Sequence, residues 1–259
     1  MVISYTFDKC LRVYDITVLS NPPILLRTLG TVFEAEFRSP IKLCMDRDDN
    51  IVVCDMLAHR VCVISLLGES LRTFSVQAPG AVAFHEAATP EKDLLAISST
   101  VGPRDLASLV VSVYNYATEE LLFRLTETDH PTLRGGPEGM RFSRNGQELY
   151  ISLYAANVIV ISVPKRVVLK TRNLTLTIGR KDIELTATHD LLVVCGAKEG
   201  DSHMVCFRDH AVDSMTYSTD IVFRFRGADA ESQYPVAMCT RGQLLFVMAC
   251  NSHFVHVYE

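Results

Sequence analysis

Short apolar runs and polar breaks alternate along the whole chain, and no long stretch keeps a helical period. The clearest stretch, Pro40 to Phe74, reads PIKLCMDRDDNIVVCDMLAHRVCVISLLGESLRTF. It parses into four strands with turn residues between them. Strand a is Ile41–Met45, and the turn Asp46–Asn50 follows. Strand b is Ile51–Cys54. The connection Asp55–Arg60 leads to strand c, Val61–Ser65. Gly68 marks the next turn, and strand d is Leu71–Phe74.

The same order recurs. Strand b begins at Val2, Ile51, Leu94, Leu149, Leu191 and Leu244. That spacing, about 40–55 residues, is the period of four-stranded blades rather than of a sandwich or a βαβ fold. Strand d shows an apolar–basic step at Leu26-Arg27, Leu71-Arg72, Phe123-Arg124, Leu169-Lys170 and Phe223-Arg224. Strand d is the outer edge of a blade, where a charged side chain discourages pairing with other chains. A basic rim for an acidic partner is the functional alternative, but the five residues would be spread around a circumference.

The pattern therefore predicts an all-β chain: a β-propeller of about six four-stranded antiparallel blades in one domain spanning residues 1–259. The blades fall near 1–30, 31–74, 75–126, 127–173, 174–227 and 228–259. By this reading the first blade holds strands b, c and d, and the last holds a, b and c. That makes twenty-two strands, against twenty-four in a closed six-bladed ring, so the ring is incomplete at its seam. A longer parent chain, a truncated product or a weak seam would each account for this. A weak seam predicts poor hydrogen-exchange protection at Val2–Asp15 and Phe254–Tyr258.

Composition narrows the reading. The formal net charge is −5, which disfavours binding of polyanions such as nucleic acid. The start, MVISYTFDKC, lacks the basic and apolar regions of a signal peptide, and no run is long enough to span a membrane. The eight cysteines include no C-x-x-C pair, and most lie in apolar runs. They read as buried reduced thiols, so the expected location is cytoplasmic, where the Asn173-Leu-Thr sequon stays idle.

The Pro40–Phe74 unit resembles an NHL repeat. It has Pro40 before strand a, the acidic turn Asp46–Asn50, Asp55 after strand b, the step His59-Arg60-Val61 and Gly68 before strand d. The last unit keeps Pro235, the turn Arg241-Gly242-Gln243 and His253 in the place of His59, with Ala249 in the place of Asp55. The unit from Pro137 keeps the turn Arg144-Asn145-Gly146 and has Asn157 at the His59 position. Lactonase-like and tryptophan–aspartate propellers stay open as alternatives. The resemblance implies a propeller used for recognition.

No catalytic signature stands out. There is no H-E-x-x-H, no G-x-S-x-G and no phosphate-binding glycine loop. His253 and His256 are three apart and point to opposite faces of a strand. The inner strands offer only His85, Arg141 and Glu184 toward a channel ion, a thin set for a hard cation. No metal and no cofactor is expected. The d–a and b–c loops of a propeller share one face, and here they carry Phe33, Glu34, Phe37, His59, Arg60, Asp129, His130, Asn157, Tyr234 and His253. A charged face with aromatic side chains suits a protein or peptide partner. The expected function is a non-catalytic interaction scaffold. The alternatives are a hydrolase or lyase with a channel metal, and an RNA-binding NHL propeller.

Overall fold

The computed structural model describes residues 1–15, 24–30, 36–102, 107–153, 157–173, 181–185, 191–195, 202–207, 219–225, 235–241, 244–249 and 255–258. After Thr171 only the backbone path is described, apart from residues 182–184 and Met238. The described chain is built from antiparallel sheets in which neighbours in sequence are neighbours in space. No α-helix occurs among the described residues, only 3-10 turns at Met56–Ala58 and Pro90–Lys92. Among the described residues no helix is long and apolar enough to cross a membrane.

Contacts gather the sheets into two compact units, Met1–Thr128 and Asp129–Glu259. The first unit holds β1 (Val2–Tyr5), β2 (Cys10–Asp15) and β3 (Ile24–Leu29) in one three-stranded sheet. Its second sheet is β4 (Pro40–Met45), β5 (Ile51–Asp55), β6 (Arg60–Ile64) and β7 (Ser70–Ser75). Its third is β8 (Pro79–His85), β9 (Leu94–Val101), β10 (Ser108–Asn115) and β11 (Leu121–Leu125). In the second unit, β12 (Pro137–Phe142), β13 (Glu148–Leu153), β14 (Asn157–Ser162) and β15 (Val167–Asn173) form one sheet. The next is β16 (Lys181–Leu185), β17 (Leu191–Cys195), β18 (Ser202–Phe207) and β19 (Thr219–Phe225). The last has three strands, β20 (Pro235–Arg241), β21 (Leu244–Ala249) and β22 (Val255–Tyr258). In the Pro40–Phe74 unit every strand border lies within one residue of its expected place.

The second sheet shows why strands b and c are apolar at nearly every position. Ile51, Val53, Cys62 and Ile64 on one face pack with Leu11, Leu29 and Phe37. Val52, Cys54, Val61, Val63 and Phe74 on the other pack with Val82, Leu95 and Ile97 of the third sheet and Tyr116 of its c–d turn. Side chains alternate between faces, so a strand buried on both sides must be apolar throughout. Within each unit first strands also stand side by side: β4 beside β8, β12 beside β16, and β16 beside β20.

Two backbone irregularities repeat. Strand a opens on a proline followed by a register shift in four sheets, between Pro40 and Leu43, Pro79 and Ala81, Pro137 and Gly139, and Pro235 and Ala237. Proline cannot donate to the ladder, so it is confined to strand starts and bulges. Every c–d pair also carries a bulge, whose extra residue is Leu26, Leu71, Leu122, Leu169 or Val222. This corrects the apolar–basic alignment in two sheets. After the bulge residue come Arg27, Arg72 and Lys170, but Phe123 and Phe223 in the third and fifth sheets. Arg124 and Arg224 lie one residue further on, hence on the other face, so the five basic residues are not equivalent.

Candidate functional site

In the Met1–Thr128 unit, hydrogen bonds gather the b–c and d–a connections at one end. Thr6 Oγ1 donates to the Pro40 carbonyl at 2.8 Å, and the Met56 amide donates to the Ser39 carbonyl at 3.0 Å. The Val76 amide donates to the His59 carbonyl, and the Thr100 amide to the Ala78 carbonyl.

Several residues expected at this end to face a partner also tie its loops together. His59 has a left-handed backbone, φ 55°, and its Nδ1 accepts the Ala78 amide at 3.1 Å. Arg60 donates twice to Asp55 Oδ2, at 3.2 Å each, and to the Glu36 carbonyl at 2.8 Å. Asp55 is wholly buried, and its Oδ1 accepts the amides of Arg38 and Ser39 at 3.0 and 2.7 Å. The Asp and His-Arg step of the repeat thus fasten the hairpin to the loops on either side.

Phe37 is a correction. It is 0% exposed and belongs to the core between the first and second sheets, so it has no surface to offer. An aromatic residue in a loop was read as exposed, but this loop folds it inward. Leu133 is buried in the same way. His130 Nδ1 meets the Thr132 hydroxyl at 2.8 Å and the Thr132 amide at 3.4 Å, and its carbonyl accepts the Leu133 amide. Asp129 is exposed beside it. Phe33, Glu34, Tyr234, His253 and the Asn157 side chain lie outside the described residues.

What this end of the first unit does expose is a different set. The turns Thr6–Lys9 and Met56–His59 are built alike. In each, the amide of the fourth residue donates to the carbonyl of the first, at 3.3 and 3.2 Å. In each the fourth residue, Lys9 or His59, is left-handed, a conformation that costs a non-glycine residue roughly 1–2 kcal/mol. The second residue therefore stands at the tip. It is Phe7 in one, 100% exposed, and Leu57 in the other, 58% exposed. The third sheet ends its strand b on Val101, 53% exposed. Asp8 and Arg12, paired at 2.9 Å, brace the Phe7 turn, with the guanidinium 4.2 Å from the Tyr5 ring centroid. Sequence reasoning missed these three. No feature of the hairpin sequences marks Phe7 or Leu57 as a tip before the left-handed fourth residue is seen.

The residues weighed for a channel ion are otherwise engaged. Arg141 Nε lies 3.1 Å from Glu184 Oε2. His85 is half-buried, and burial holds its imidazole below the usual histidine range. Among the described residues no three His, Cys, Asp or Glu side chains could hold a metal ion together.

No protein-family model and no curated protein matches the chain. Solved structures do, in 1160 chains, a breadth that speaks to architecture and not to activity. The chain is similar to the Cps50 (Swd1) β-propeller domain of Myceliophteria thermophila, at TM-score 0.62 and 13% identity over 100% of this chain and 81% of that one. It is also similar to hydrazine synthase of Kuenenia stuttgartiensis, at TM-score 0.59 and 13% identity over 88% of this chain and 78% of that one. Together with the sheets above, these likenesses define the class: the fold is a β-propeller. At 13% identity they carry the fold alone.

Proposed function

We propose that this chain is a non-catalytic interaction module, of NHL-repeat type, that docks a protein or peptide on the end where its b–c hairpins emerge. The observation that carries this reading is the set of Phe7, Leu57 and Val101. Three successive sheets each present one exposed apolar side chain at the same end, among exposed polar residues such as Asp8, Lys9 and His59. Rigid apolar anchors on a polar rim are how interfaces concentrate their binding energy. The cysteines fit a reducing, cytoplasmic setting: Cys10, Cys54 and Cys62 are free and buried, and burial pushes each thiol up from its ordinary value.

The test is capture from native lysate with two baits, the wild-type chain and a Phe7→Ser, Leu57→Ser, Val101→Ser variant. The expected result is a protein recovered in stoichiometric amount by the first bait and lost with the second. Equal recovery by both baits would rule this end out as the docking surface.

A further inference from the structure

The opposite end of the Met1–Thr128 unit carries a second surface. There the a–b and c–d turns of the second and third sheets are knitted together. Tyr116 Oη donates to Asp46 Oδ2 at 2.6 Å, Arg47 donates to Asp93 at 2.6 and 2.8 Å, and Asn115 donates to the Glu91 carbonyl at 2.7 Å. Arg27 joins β3 to the same end through the Leu66 carbonyl, at 3.4 Å.

Two leucines stand out of this end side by side in one turn, Leu66 at 40% and Leu67 at 64% exposure. Ile24, Leu25 and Leu26 on β3 are 50–62% exposed, and Leu29 of the same strand packs against Gly68 of that turn. Nothing among the described residues covers this apolar strip. The outer edge of β3 is bulged at Leu26, which opposes strand addition, so the strip offers side chains rather than a ladder.

Charge specifies what would cover it. Asp48, Asp49, Glu69, Glu86, Glu91 and Glu120 are all exposed on these turns. Of the cations there, Arg47 is bonded to Asp93 and Arg72 lies 4.0 Å from Glu119, while Arg27, on the Leu66 carbonyl, and Lys92 are exposed, so the carboxylates outnumber the exposed cations. An apolar strip on an end whose exposed charges are mostly carboxylates is complementary to a cationic segment bearing apolar side chains.

We infer that this turn end docks a Lys/Arg-rich segment of a partner protein, with leucine-like side chains of the segment seated on Leu66 and Leu67. The surface is separate from the hairpin end carrying Phe7, and either can fail without the other. The partner's apolar residues fix its register, and the carboxylates steer its approach.

The probe is a fluorescent twelve-residue peptide repeating Arg-Lys-Leu-Lys three times, titrated with the full chain in low salt. Dodecalysine is the control. The leucine-bearing peptide should bind at least about tenfold more tightly than dodecalysine, an advantage that one or two buried leucine contacts supply. Leu66→Ser with Leu67→Ser should abolish that advantage. Asp48→Asn, Asp49→Asn, Glu69→Gln and Glu120→Gln together should weaken both peptides, and added salt should do the same. Asn tolerates the left-handed backbone of Asp49 (φ 62°), so this variant keeps its turn. Equal binding of both peptides would reduce the surface to a plain polyanion and overturn the proposal. So would binding indifferent to the leucine pair, or no binding at all.

Discussion

Consecutive sheets are joined differently in the two units. Between the second and third sheets the ties lie among the turns: Asp46 with Tyr116, Arg47 with Asp93, and Arg72 with the Tyr116 carbonyl at 2.6 Å. The Arg72 guanidinium also lies 4.8 Å from the Tyr116 ring centroid. Between the fourth and fifth sheets the ties lie along the first strands. Gly139 of β12 leaves room for the buried Asp182 of β16, whose Oδ2 accepts the Met238 amide at 3.1 Å. Two residues further along the same strands, Arg141 pairs with Glu184. What repeats is backbone: the proline entry and the c–d bulge. Among the described residues the side-chain ties between sheets differ from one pair to the next.

Breaking these ties in turn sharpens the comparison. The largest expected loss is at Asp55. Asp55→Ala strips acceptors from two amides and leaves Arg60 without its carboxylate, at a cost of about 3–5 kcal/mol by denaturant unfolding. Gly139→Ala comes next. Its Cβ would stand 2.4 Å from Asp182 Oδ1, and overpacking of this kind costs about 1–3 kcal/mol. Gly136→Ala, with nothing within 4 Å, is the control and should be near neutral.

Tyr116→Phe should cost about 1–2 kcal/mol, because buried Asp46 loses a donor. It also has a pH signature. Burial and the Asp46 hydrogen bond raise the Tyr116 pKa well above the ordinary tyrosine value of 10.0. Above about pH 10 the unfolded chain releases this proton while the folded chain holds it, so stability falls as pH rises. The Phe variant should flatten that fall, as read from unfolding midpoints across alkaline pH. The smallest effect is at the outer strands. Arg72→Ala should cost about 1 kcal/mol, and Arg27→Ala less, since Arg27 has only a 3.4 Å bond to Leu66.

Strand positions were legible in the second sheet because its strands b and c, buried on both faces, are nearly unbroken apolar runs. The c–d alignment was legible in three sheets and slipped by one in the others. Leu122-Phe123-Arg124 has its apolar–basic step at Phe123-Arg124, but the bulge falls on Leu122, one residue earlier. His59 and Arg60 read as polar loop residues at the surface, and His59 is exposed, but their partners Ala78, Asp55 and Glu36 are fixed only by the fold. Phe7 was overlooked because nothing in TFDK distinguishes a tip from a strand end until the left-handed Lys9 is seen.

The most direct test is hydroxyl-radical footprinting of the chain, free and bound to the partner that capture identifies. The account predicts strong oxidation of Phe7 and Leu57 in the free chain and clear protection of both in the complex, with Leu71 and Leu121 on the outer strands unchanged. Protection of the outer strands with Phe7 still fully reactive would contradict it.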